Sequence, residues 1–156
     1  MNLLSNLLSL PNVALDVEAH DKHDALERAA RVFQNIQASG VSRIFECLMA
    51  REELGSTGLG KGVAIPHGRL RGLKRAAAAI VRLKGPIDFA SPDGQPVRLL
   101  VVLLVPEHAT QQHLEILSEL AQMLSEPSMR EQLLTIVQPA ALLATVAAWE
   151  PIRPAA

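Results

Sequence analysis

The chain reads as a single α/β domain over residues 1–150, a three-layer α/β/α sandwich around a mixed β-sheet, with a flexible tail at 151–156. Three observations predict it. Residues 97–105 (VRLLVVLLV) form a branched, leucine-rich run with almost no polar interruption, which suits a central strand buried on both faces. Residues 76–83 read as a second buried strand, and the turn formers SPDGQP at 91–96 separate the two. Apolar residues at helical spacing recur before and after these strands, and helices interspersed with a mostly buried sheet make an α/β sandwich.

In order, Leu3, Leu4, Leu7 and Leu8 recur at helical spacing, and Pro11 with Asn12 is expected to end that turn. Residues 13–17 alternate like a short strand. From Asp24, the residues Ala25, Ala29, Val32, Phe33 and Ile36 fall on one helix face that Gly40 stops. Ser42 is the expected cap of the next helix, with Ile44, Phe45, Leu48 and Met49 inward and Arg51, Glu52 and Glu53 closing its exposed side. Gly85 and Pro86 are expected to break the strand at 76–83. Asp93 and Gly94 supply a tight reversal, and Pro106 ends the central strand. Thr110 suits the cap of a helix in which His113, Ile116, Leu117, Leu120, Ala121 and Leu124 face inward. Pro127 and Pro139 sit in the first turns of two further helices.

With 156 residues the chain can bury roughly two-thirds of its unfolded surface and needs no staples. Fifteen cationic side chains against sixteen acidic ones, no basic block and 3% aromatic residues argue against a nucleic acid partner. The lone Cys47 excludes an internal disulfide and reads as a structural thiol. The apolar N-terminus lacks a basic n-region, and the run at 97–105 is too short to cross a bilayer. A cytoplasmic protein without membrane insertion is expected.

The chemistry concentrates in GSTGLGKGVAIPHGR at 55–69, where a glycine-rich turn leads into a short apolar stretch that delivers His67 and Arg69. A phosphate-binding loop G-x-x-x-x-G-K fits until Gly62, which stands where Ser or Thr would hold magnesium. The context is also inverted, since a helix precedes and a strand follows. His67, His108, His113 and Cys47 lack the spacing of a zinc site, so no metal and no cofactor is expected. Covalent catalysis remains. Neutral imidazole attacks phosphorus without an activating base, and phosphoryl transfer asks mainly for positioning and positive charge. Arg69, the backbone N–H groups from Gly68 onward, Arg51 and His113 are candidates for that charge. His113 reads equally as a core histidine, and Arg51 and Arg69 equally as solvated surface charges.

These residues resemble the phosphorylation site of the enzyme IIA proteins of the mannitol/fructose class in the bacterial phosphotransferase system. The nitrogen-regulatory branch is the nearest likeness, since it carries GSTG before IPHG. The resemblance continues through GPIDF at 85–89, Asp93 and Gly94, LLVP at 103–106 and HLEILS at 113–118, in the same order. It implies that His67 accepts phosphate on Nε2 from an HPr-like carrier of the NPr type, and that His113 and Arg51 belong to the same site. Lys61 stands where mannitol-type members carry glutamate, and the chain shows no second phosphotransfer domain or membrane channel. Both points favour a regulatory phosphocarrier whose targets are transporters, sensor kinases or enzymes. The alternative is a fructose- or mannitol-type component that passes phosphate to a IIB partner. A phosphate on His67 adds about −1.5 to −2 charges. The expected surface around it is a rim of apolar Leu59, Ile65 and Leu70, so phosphorylation is expected to invert partner preference.

Overall fold

The structure is a computed structural model that describes residues 2–33, 40–108 and 111–152. The expected core position Ile36, the cap at Thr110 and the last four residues of the tail lie outside them. In chain order the elements are β1 (Val13–Val17), α1 (Lys22–Val32), α2 (Val41–Glu53), β2 (Gly58–Gly60), β3 (Val63–Ala64) and β4 (His67–Leu70). They continue with β5 (Ala77–Ile87), β6 (Val97–Pro106), α3 (Gln111–Ser125), α4 (Pro127–Thr135) and α5 (Pro139–Ala148).

Strand β6 is the centre of the sheet. On one side it pairs antiparallel with β5, which pairs parallel with β1. On the other side β3 and β4 both run parallel to it, and β2 folds back antiparallel on β3. The sheet is therefore mixed. Along β6, Leu99, Val101, Leu103 and Val105 face one layer, while Leu100, Val102 and Leu104 face the other. The first layer is built from α3, α4 and α5, through residues such as Ile116, Leu120, Leu133 and Leu142. The second is α1 with α2, through Leu26, Phe33, Ile44 and Leu48. Each fully buried aliphatic side chain contributes about 1.5–3 kcal/mol, so burial on both faces fixes the three-layer α/β/α sandwich.

Several local expectations change. The N-terminal leucines form two short 3-10 turns, Leu4–Asn6 and Leu10–Asn12, and Pro11 lies inside the second rather than ending the first. Helix α2 starts at Val41 with Gly40 as its N-cap, so Ser42 sits in the first turn and caps nothing. Strand β5 runs on to Ile87 because Gly85 and Pro86 fall in an exposed register shift between Arg82 and Ile87, where a missing N–H costs the ladder nothing. In α3 the buried stripe takes Glu119 and Met123 and leaves Ala121 exposed. Past α5, the Ile152 N–H donates to Gln122 Oε1 at 3.0 Å.

Candidate active site

The glycine-rich run is a hairpin followed by a separate strand. Strands β2 and β3 meet at a turn in which Gly60, Lys61 and Gly62 all take positive φ, at 88°, 59° and 83°. Lys61 tolerates this because its N–H donates to Asp93 Oδ2 at 2.8 Å, across from the 91–96 turn. The two N–H groups that Asp93 accepts, from Lys61 and Gln95, hold its carboxyl below the usual range.

The base of the hairpin is held by a residue expected on the solvent side. Glu52 is buried in the last turn of α2, where its carboxylate accepts from the Thr57 N–H at 2.9 Å, from the Thr57 hydroxyl, and from Lys22 Nζ at 3.0 Å. The Thr57 carbonyl accepts from the Ile65 N–H at 3.0 Å, and the Ile65 carbonyl lies 2.8 Å from His67 Nδ1. A line of hydrogen bonds thus leads from a buried carboxylate to the imidazole. The sequence held a signal for it, since Ile44, Leu48 and Glu52 repeat every four residues on one helix face.

Strand β4 then sorts its residues by alternation. Gly68 and Leu70 are buried toward α2, while His67 is half-buried and Arg69 exposed on the opposite face. A β-carbon at position 68 would come within 2.5 Å of Cys47 Sγ, so glycine is what lets α2 approach the strand. The Cys47 thiol donates to the Arg69 carbonyl at 3.1 Å, and its burial raises its pKa.

The face that carries His67 meets α3. His113, in the first turns of that helix, is 9% exposed, and its ring stands edge to face with His67, centroids 5.5 Å apart at 64°. Neither His113 ring nitrogen has a hydrogen-bond partner among the described residues. Buried polar atoms in native proteins are rarely left so, which marks this ring as aimed at something other than the core. Arg51, half-buried in α2, donates to the Gly55 carbonyl at 2.8 Å. Arg69 donates to the Glu107 carbonyl at 3.3 Å.

Burial lowers the His67 pKa, and the Arg51 charge lowers it further against smaller raising effects of the Ile65 carbonyl and Glu52. Burial also lowers that of His113, followed by the charges of His67 and Arg69. Both shifts favour the neutral form of the rings. A carbonyl oxygen only accepts, so Nδ1 of His67 holds the proton and Nε2 keeps its lone pair. The arrangement offers a nucleophilic nitrogen with a second imidazole and two guanidinium charges around it. Among the described residues no three His, Cys, Asp or Glu side chains gather to hold a metal. No helix among them is long and apolar enough to cross a membrane. The expected apolar rim is mostly absent: Ile65 and Leu70 are buried in the two cores, and only Leu59 is exposed.

Known proteins share this fold and sequence. Residues 6–149 match the family model described as "Phosphoenolpyruvate-dependent sugar phosphotransferase system, EIIA 2". A Nitrogen regulatory protein of Pseudomonas aeruginosa is 44% identical over 131 residues, which cover 83% of this chain and 85% of that protein. The crystal structure of Nitrogen Regulatory Protein IIA-Ntr from Neisseria meningitidis superposes with a TM-score of 0.88 at 45% identity, covering 93% of this chain and 99% of the other. A fructose-specific EIIABC component of Bacillus subtilis is 32% identical over 132 residues, 84% of this chain and 21% of that longer protein. The chain belongs to the EIIA 2 family of the phosphoenolpyruvate-dependent sugar phosphotransferase system.

Proposed function

We propose that the chain is a regulatory phosphocarrier of the nitrogen-related branch, phosphorylated on Nε2 of His67 by an HPr-like carrier of the NPr type. The observation that carries this reading is the Ile65 carbonyl on Nδ1, which leaves Nε2 as the nucleophile beside His113. The Nε2 lone pair forms the new bond to phosphorus as the bond to the carrier's donor atom breaks, its electron pair leaving with the carrier. The proton stays on Nδ1, so no base is consumed. His113 donates from a ring nitrogen to a phosphate oxygen, while Arg51 and Arg69 steady the remaining charge; the Gly68 N–H is spent in the β4–β6 ladder, where the chain pairs Gly68 with Leu104. The added negative charge then changes which target proteins bind, among transporters, sensor kinases or enzymes. The work is cytoplasmic.

The test is incubation with the upstream carriers and phosphoenolpyruvate. We expect one phosphoryl increment in mass, acid-labile and base-stable, on the wild type and none on His67→Ala. An unmodified wild type would overturn the reading. A sugar-transport role, favoured by the fructose-specific relative, predicts onward transfer to a IIB partner; the regulatory reading predicts none.

A further inference from the structure

Two residues that face each other across a closely spaced pair of antiparallel ladder bonds normally exchange both, each N–H donating to the other's carbonyl. Thr57 and Ile65 stand in that relation. The pairing of Gly58 with Ala64 in β2 and β3, continued one residue outward, sets them opposite one another, and the Ile65 N–H donates to the Thr57 carbonyl at 3.0 Å. The return bond, from the Thr57 N–H to the Ile65 carbonyl, is missing. Glu52 takes that N–H instead, on Oε2 at 2.9 Å, while its other oxygen takes the Thr57 hydroxyl. An amide has one proton to give, and a carboxylate holds it more strongly than a neutral carbonyl does. The Ile65 carbonyl is left to His67 Nδ1, 2.8 Å away. That bond is local to the chain, but its acceptor is free for it only because α2 reaches across to Thr57.

We propose that Glu52 is a positioning residue for His67: by withdrawing the Thr57 N–H from the ladder it reserves the Ile65 carbonyl for the imidazole, and so decides which ring nitrogen is free. The consequence for reactivity rests on the phosphocarrier reading above, since the free nitrogen matters when it attacks phosphorus. Without Glu52, the nearest acceptor for the Thr57 N–H is the carbonyl of its own ladder partner. Ile65 would then serve two donors with one oxygen, and the Nδ1–H bond that selects the tautomer would weaken. The surroundings keep the carboxylate on its task. Its side chain is 2% exposed, so water does not compete for Thr57. Lys22 Nζ, from the first turn of α1, holds Oε2 at 3.0 Å and lies 4.6 Å from the centre of the Phe89 ring. Glu52 acts through Thr57 and Ile65, and has no contact of its own with the reacting atoms. An anchor for the hairpin alone could use the threonine hydroxyl; the second hold, on the N–H, is the one that changes what Ile65 can accept.

The test uses the full chain, labelled with heavy nitrogen and carbon, as wild type, Glu52→Gln and Glu52→Leu/Lys22→Met, where the second change removes the ammonium that would lose its partner. Scalar couplings across hydrogen bonds report which carbonyl each amide uses. In the wild type the Ile65 amide should couple to the Thr57 carbonyl, and the Thr57 amide should show no coupling to the Ile65 carbonyl. A Thr57–Ile65 coupling in the wild type overturns the proposal whatever the variants do. In Glu52→Leu/Lys22→Met that coupling should appear, and the ring nitrogen shifts of His67 should report a mixture of tautomers. Its limiting rate of phosphorylation by the phosphorylated HPr-like carrier should fall on the order of tenfold, with the KM for the carrier unchanged. Glu52→Gln keeps an oxygen for the Thr57 N–H and should retain the wild-type tautomer and rate. A leucine variant with wild-type tautomer and rate reduces Glu52 to a structural anchor and overturns the proposal. If that variant does not fold, the wild-type couplings and Glu52→Gln decide: a tautomer mixture in Glu52→Gln without a Thr57–Ile65 coupling overturns it as well. A wild type that takes no phosphate overturns the phosphocarrier reading alone, because couplings and tautomer are read without the donor.

Discussion

The ring of His67 is tied to the carbonyl of Ile65, two residues earlier in its own chain, at 2.8 Å. A bond this short in sequence fixes the tautomer and the ring orientation together, without recruiting another element of the fold. The expected product is phosphate on Nε2, with the Nδ1 proton retained. Two-dimensional nitrogen–proton spectra of the phosphorylated protein check this directly; phosphorus coupling on Nδ1 would contradict it.

The two imidazoles also predict how stability depends on pH. Burial holds both below the ordinary histidine value of 6.5. As pH falls through about 6.5 the unfolded chain takes up protons that the folded chain resists, so the unfolded state binds more protons and stability declines. This contribution is whole above 6.5, shrinks below it, and stops changing once the folded rings titrate. Urea midpoints between about pH 7 and about pH 5 should fall less steeply in His67→Gln/His113→Gln than in wild type.

The Glu52 anchor should be costly to disturb. Thr57→Val removes one donor from a carboxylate whose side chain is 2% exposed. We expect a loss of about 1–3 kcal/mol in urea unfolding, because the carboxylate oxygen is left under-satisfied in a dry place. Slower phosphorylation should accompany it, since the same threonine supports Ile65. A stability change without a rate change would separate the anchor from the site.

Gly68→Ala should destabilise by about 1–3 kcal/mol through overpacking against Cys47. Adding Cys47→Ala removes the sulfur that the new methyl meets at 2.5 Å. It leaves the Cys47 carbonyl oxygen at 3.2 Å, so recovery should be partial. A double-mutant cycle measures that coupling, and additive losses would count against the close approach.

The fold was legible where burial decided the pattern. The run at 97–105 could only be a strand covered on both sides, and prolines 127 and 139 open their helices as expected. It was illegible where a long-range partner overrode local preference. Gly85 and Pro86 read as a strand end because nothing nearby announces that the register shift lets them bulge outward. Glu52 read as solvent-facing because its partners, Thr57 and Lys22, come from a loop and a different helix. His67 stood out between Pro66 and Gly68, and the family resemblance already put His113 in its site; the edge-to-face contact of the two rings needed the fold of α3. Ile65 and Leu70 looked like a rim because a sequence shows adjacency to His67 and hides which face of the sheet each residue joins.

That division of faces sets a limit on what the chain can lose. Deleting any one residue between Ala64 and His67 would rotate every following position of β4 by half a pleat, swinging the imidazole toward the thiol layer and presenting bare glycine to an incoming phosphoryl group. The length of this three-bond connection is thus as much a determinant of reactivity as the histidine it delivers.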